Sequence, residues 1–173
     1  MKAARVVLAL AALSLTGIAL AEKPVVKPYA AGAPFGGIPF WSPGEKFIGI
    51  SSGKCDGTCP VYELYLFEDG RVVFSGRKDT RKTGVWRKTV SPDVYADLLT
   101  TLIRTKVLDE DIKRGTCLKG RSVLTVMRSN SDNGDVKTVL LNSGCEGYAD
   151  LVKQIEGPFI EGAGVANWLA PPK

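Results

Sequence analysis

The chain has 173 residues, a formal net charge of +5 and four cysteines, but no histidine. Without histidine there is no Ser-His-Asp or Cys-His catalytic set and no histidine-ligated metal site. The mild basicity does not by itself call for nucleic acid, and none is expected as a partner.

Residues 1–21 read as a signal peptide. Lys2 and Arg5 give a positive start, Val6 to Leu20 is mostly apolar, and Ala19-Leu20-Ala21 is a small-x-small cleavage site before Glu22. The apolar run is short for a bilayer span, and no other membrane segment is predicted. The expected location is the periplasm or the exterior. The leader carries two cations and no carboxylate, so the exported chain is less basic than the whole. All four cysteines lie beyond the leader, where an oxidising compartment and an even count predict two disulfides.

Residues 22–45 form an N-terminal arm or linker. Pro24, Pro28, Pro34, Pro39 and Pro43, with Gly32, Gly36, Gly37 and Gly44, rule out a long helix or a central strand. Phe35, Phe40 and Trp41 favour docking of the second half of this arm.

A single domain is expected over 46–169, with a tail at 170–173. Phe47 to Ser51 reads as a first strand with Ile48 and Ile50 on one face. Cys55-Asp56-Gly57-Thr58-Cys59-Pro60 is a tight turn. Val61 to Glu68 follows as a strand, with Tyr62, Leu64 and Leu66 on one face and Val61, Glu63, Tyr65 and Phe67 on the other. Asp69-Gly70 signals a hairpin into a third strand at Val72 to Phe74. A fourth strand is predicted over Thr83 to Val90.

Ser91-Pro92-Asp93 reads as a helix start. Tyr95, Leu98, Leu99, Leu102 and Ile103 then share one face, with an end near Thr105 or Lys106. Val107 to Gly120 is predicted to be a polar loop. Ser122 to Arg128 and Asp135 to Leu141 form a second strand pair around the turn cluster Asn130 to Gly134. A second helix is expected from about Glu146 to Glu156, stopped by Gly157-Pro158. Phe159, Val165, Trp168 and Leu169 predict a tail packed on the domain. The order β-β-β-β-α-β-β-α points to α+β: a two-layer sandwich with a mostly antiparallel sheet of about five to six strands and two helices on one face.

The run Ile48-Gly49-Ile50-Ser51, then Cys55-x-Gly57-Thr58-Cys59-Pro60-Val61-Tyr62, then Phe67-Glu68-Asp69-Gly70-Arg71-Val72 and Ser75-Gly76, resembles the DUF6438 domain. This is a family of exported bacterial proteins of unknown function. The resemblance extends over about Lys46 to Trp168. Members carry an Asp-Leu-Pro stretch before the later strand pair, where this chain reads Thr116-Cys117-Leu118-Lys119. The resemblance implies no substrate, cofactor or catalytic residue.

Cys55–Cys59 and Cys117–Cys145 are the preferred disulfide pairs. Chain entropy gives about 2 kcal/mol for the first and about 3.6 kcal/mol for the second. A redox dithiol at Cys55 and Cys59 is the alternative, but such a pair usually sits at a helix N-terminus, and here Pro60 and a strand follow. A four-cysteine zinc site is disfavoured by spacing, so no metal or cofactor is expected. Asp132-Asn133-Gly134-Asp135 has a calcium-loop composition, but Ser143 stands where a bidentate glutamate would be needed.

The second candidate site is basic: Arg77, Lys78, Arg81, Lys82, Arg87 and Lys88 bracket Trp86. Such a hairpin suits an envelope protein or an anionic envelope polymer. It equally suits a solvated turn whose charges prevent edge pairing. The expected function is a monomeric, non-catalytic binding module of the cell envelope. A thiol-disulfide protein and an inhibitor or immunity-like protein presenting the Cys55–Cys59 loop are the other readings.

Overall fold

A computed structural model describes residues 41, 44–53, 55–109, 123–129, 136–145 and 147–169. The expected leader, the expected arm before Trp41, Cys117, the turn cluster at 130–134 and the tail at 170–173 lie outside them.

Six strands form one antiparallel sheet: β1 (Phe47–Ser52), β2 (Val61–Phe67), β3 (Arg71–Lys78), β4 (Gly84–Thr89), β5 (Val123–Ser129) and β6 (Val136–Asn142). Their order across the sheet is β4-β3-β2-β1-β5-β6. The first four strands are sequential neighbours. The later hairpin adds to the free side of β1, so Ile50 lies between Leu64 on β2 and Val126 on β5. The fold is the α+β architecture expected from the element order.

Among the described residues two main helices, α1 (Asp93–Arg104) and α2 (Tyr148–Gly162), and a short α3 (Ala166–Leu169) accompany the sheet. Alternation on the strands sends Ile48, Ile50, Tyr62, Leu64, Leu66, Val72 and Phe74 to one face. They share a core with Leu98 and Leu102 of α1, Val152, Ile155 and Phe159 of α2, and Trp168 and Leu169 of α3. All three helices therefore cover the same face. Helix α1 opens directly after Ser91-Pro92, with Pro92 rather than Ser91 at the N-cap, and the Ser91 Oγ accepts the Asp93 N–H at 3.3 Å.

The opposite face also carries an apolar cluster. Phe47, Tyr65, Phe67, Val73, Val85 and Met127 form a second buried cluster. The Trp41 ring lies against it, with centroids 4.7 Å from Phe47 and 5.6 Å from Tyr65. Of the three aromatic residues expected to dock the arm, Trp41 packs on the domain, and Phe35 and Phe40 lie outside the described residues. Entry to β1 is secured by Ser129, whose Oγ donates to the Glu45 carbonyl at 2.8 Å, and by Arg71, which reaches the Glu45 carboxylate at 2.5 Å.

Four expectations need correction. Ile103, expected on the apolar face of α1, is 58% exposed, because that face turns past it to solvent. Helix α2 does not stop at Gly157-Pro158 but runs through Pro158 to Gly162. Pro158 forgoes one helical hydrogen bond, yet continuation buries Phe159 fully, and burying a side chain of that size is worth about 1.5–3 kcal/mol. The segment after α1 is not uniformly polar, because Val107 and Leu108 are buried in the helix-side core. Strand β3 runs on past Phe74 to Lys78 and carries Ser75 and Gly76 into the interior.

Gly76 allows a close crossing at that point. A Cβ there would stand 2.0 Å from the Lys82 carbonyl oxygen, so only glycine lets the β3–β4 turn fold back over its own strand. Thr80 is buried in this turn, and its hydroxyl donates to the same carbonyl at 2.9 Å.

Candidate functional site

Antiparallel topology gathers the features of interest at one end of the sheet. There β1 ends and β2 begins, joined by the cysteine turn. At the same end β3 passes into β4 through the basic turn, and β6 leads to Cys145.

Cys55 and Cys59 are bonded, with Cα atoms 6.2 Å apart. Between them Asp56, Gly57 and Thr58 are exposed, while the cysteines themselves are half-buried. The turn is rooted through Tyr62. That side chain is buried, its hydroxyl donates to Glu156 Oε1 of α2 at 2.7 Å, and its ring stacks on Phe74 with centroids 5.9 Å apart. Burial and the adjacent Glu156 carboxylate push the Tyr62 hydroxyl well above the usual tyrosine range, so it stays a donor. Cys145 is also disulfide-bonded. Cys117, its expected partner, lies outside the described residues.

The basic and aromatic residues do not form one surface. Register puts Trp86 opposite Phe74 and Lys88 opposite Val72, on the helix side. There the Lys82 ammonium sits between two indoles, 4.0 Å from the ring centroids of both Trp86 and Trp168. Lys88 donates to the Gly164 carbonyl at 3.2 Å and lies 5.8 Å from the Trp168 ring. The Trp86 indole N–H donates to the Thr83 carbonyl at 2.9 Å. Lys82, Trp86 and Lys88 therefore clasp the C-terminal segment to the β3–β4 hairpin.

Arg77 points to the other face and pairs with Glu63 at 2.5 Å. The Glu63 side chain is only 5% exposed and that of Arg77 27%. Glu63 shares its cross-strand row with Ser51 on β1 and Ser75 on β3, and Ser51 in turn faces Thr125 on β5. Burial pushes the Glu63 carboxyl above the usual carboxylate range, and the Arg77 charge pulls it back only in part. This buried polar row was not visible as a site in the sequence. Its one signal was a glutamate among the inward positions of an otherwise apolar strand.

Lys78, Arg81 and Arg87 remain exposed. Lys78 lies 3.6 Å from the Asp79 carboxylate, with 62% of its side chain exposed. Lys78 is also the register partner of Val61, which places it beside the cysteine turn. Among the described residues no cluster of three or more potential metal ligands occurs, and no helix is long and apolar enough to cross a membrane.

A two-layer α+β sandwich with a cysteine-closed turn feeding its second strand thus defines the class of the domain. A family model described as a domain of unknown function, DUF6438, matches residues 46–159, and the chain belongs to that family. No curated protein matches the chain.

Proposed function

We propose that this is an exported, disulfide-stapled, non-catalytic binding module of the cell envelope. Its contact surface is the end of the sheet that carries the Cys55–Cys59 turn with Lys78 and Arg81. One observation carries the reading: Asp56, Gly57 and Thr58 are exposed together on a turn closed by a covalent bond and rooted in the core through Tyr62. A loop restrained in this way loses little conformational freedom on binding, so more of its contact energy appears as affinity. Export rests on the positive, apolar, small-x-small leader of the sequence. The binding role is favoured over thiol-disulfide exchange because Cys59 leads through Pro60 into strand β2, and not into a helix whose N-terminus would stabilise its thiolate.

The test uses the exported protein, immobilised and exposed to solubilised envelope of its bacterium. The wild type should retain a discrete protein or polymer. Asp56→Lys with Thr58→Lys, and separately Lys78→Glu with Arg81→Glu, should release it while leaving the unfolding midpoint close to wild type. Retention unchanged in both variants would remove this surface from consideration.

A further inference from the structure

Strand β4 is the last strand on its side of the sheet among the described residues. Its backbone therefore has one hydrogen-bonding side paired to β3 and the other turned outward. Three observations set it apart. First, it is anchored from the helix face, because Trp86 packs with Trp168 at 6.3 Å between centroids and Lys88 is held by the Gly164 carbonyl. Second, Thr83, Gly84, Arg87 and Thr89 are exposed along it, and exposed Arg81 stands just before it. Third, none of residues 81–89 is acidic. Two copies of this edge would set Arg87 and Arg81 against their own kind, so pairing with a second copy is opposed. The same charges favour an incoming strand of opposite sign.

We infer that the outer edge of β4 is a docking site for an extended acidic peptide segment, which adds to the sheet as a further strand. Main-chain hydrogen bonds to Gly84–Thr89 supply the affinity, and Arg81 and Arg87 select carboxylates at alternate positions. The clasp on the helix face holds the strand in its template conformation before the peptide arrives, which reduces the ordering cost of the complex. The site rests on reading the protein as a binding module and shares Arg81 with the surface proposed above, but it is built on β4 and not on the cysteine turn, and it names the chemistry of the partner.

The probe is a short alternating Glu-Val peptide, added to the exported full-length protein. A flexible Glu-Gly peptide of equal length and charge is the control. The alternating peptide should bind, protect amides of Gly84–Thr89 from hydrogen exchange, and weaken as salt is raised. Arg81→Glu with Arg87→Glu should weaken it by about tenfold or more, while Asp56→Lys with Thr58→Lys leaves it unchanged. Equal binding of both peptides would mean charge attraction without strand addition and would overturn the inference. So would protection located away from β4, or no binding at all. Envelope capture that survives while the peptide fails would overturn the edge site and leave the cysteine-turn reading standing.

Discussion

The Lys82 ammonium lies 4.0 Å from the centroid of the Trp168 ring, and the Lys82 backbone N–H donates to the Trp168 carbonyl at 3.0 Å. One residue of the β3–β4 turn thus holds the C-terminal segment by both its side chain and its backbone. Trp168 continues the contact inward, edge-on to Phe74 at 5.7 Å, and Phe74 stacks on Tyr62. The segment after α2 is therefore tied to the strand that leaves the cysteine turn.

Lys82→Met should keep the aliphatic stem and lose only the ammonium–ring attraction, about 0.5–2 kcal/mol. Trp168→Ala removes a buried anchor and should cost about 3–5 kcal/mol. Urea unfolding checks both. Equal losses in the two variants would mean that the charge, not the packing, holds the segment.

The Glu63–Arg77 pair sets a pH dependence with a defined sign. The folded Glu63 carboxyl titrates above its unfolded value, because burial outweighs the attraction of Arg77. Between the two values the native chain binds more protons than the unfolded one, so this group's contribution to stability falls as pH rises through that window. Glu63→Gln should flatten the fall, which unfolding midpoints between about pH 4 and pH 7 would reveal. Arg77→Ala should cost about 1–3 kcal/mol at neutral pH by leaving a buried carboxylate without its partner, and less in acid, where Glu63 is protonated. An Arg77→Ala penalty that does not change with pH would assign Arg77 a packing role.

Much of the fold was legible because local pattern and global packing agree. Alternation placed Tyr62, Leu64 and Leu66 on the helix side and Tyr65 and Phe67 on the other, as found. What the pattern could not carry was long-range. That the later hairpin joins β1 depends on pairing between Ile50 and Val126, which no local window contains. Pro158 misled because a local breaker was overruled by the burial of Phe159. The basic hairpin looked like one surface because its residues are close in sequence. Strand alternation divides Arg87 from Trp86 and Lys88, and Trp168, 86 residues after Lys82, takes up the Lys82 ammonium.

The Cys55–Cys59 bond should act on local shape more than on global stability. Its closed loop is short, so Cys55→Ser with Cys59→Ser should cost about 2 kcal/mol in the chain-entropy account. Because Tyr62 keeps its bond to Glu156, β2 should hold its register, and the amides of Tyr62 to Phe67 should stay protected in hydrogen exchange. The change should be confined to Asp56, Gly57 and Thr58. Partner retention should then fall while the fold survives. Loss of protection throughout β2 would show instead that the bond is needed to set the strand.

Gly76 offers a sharper test of the turn that carries Arg81 and Lys82. A methyl group at this position meets the Lys82 carbonyl at 2.0 Å and the Thr80 hydroxyl at 2.6 Å, and neither is the end of a long flexible side chain. The turn must lift away from β3 to admit it. Gly76→Ala should therefore destabilise by about 3 kcal/mol, the upper end of the usual range for overpacking. The lift draws the Lys82 ammonium out from between Trp86 and Trp168, so tryptophan emission should shift even where the chain remains folded. Thr80→Ala, which removes the hydroxyl near the clash, should not relieve Gly76→Ala, because the closer obstacle is backbone. Rescue of the double variant to wild-type stability would mean that the side chain, and not the path of the turn, forces glycine at this position.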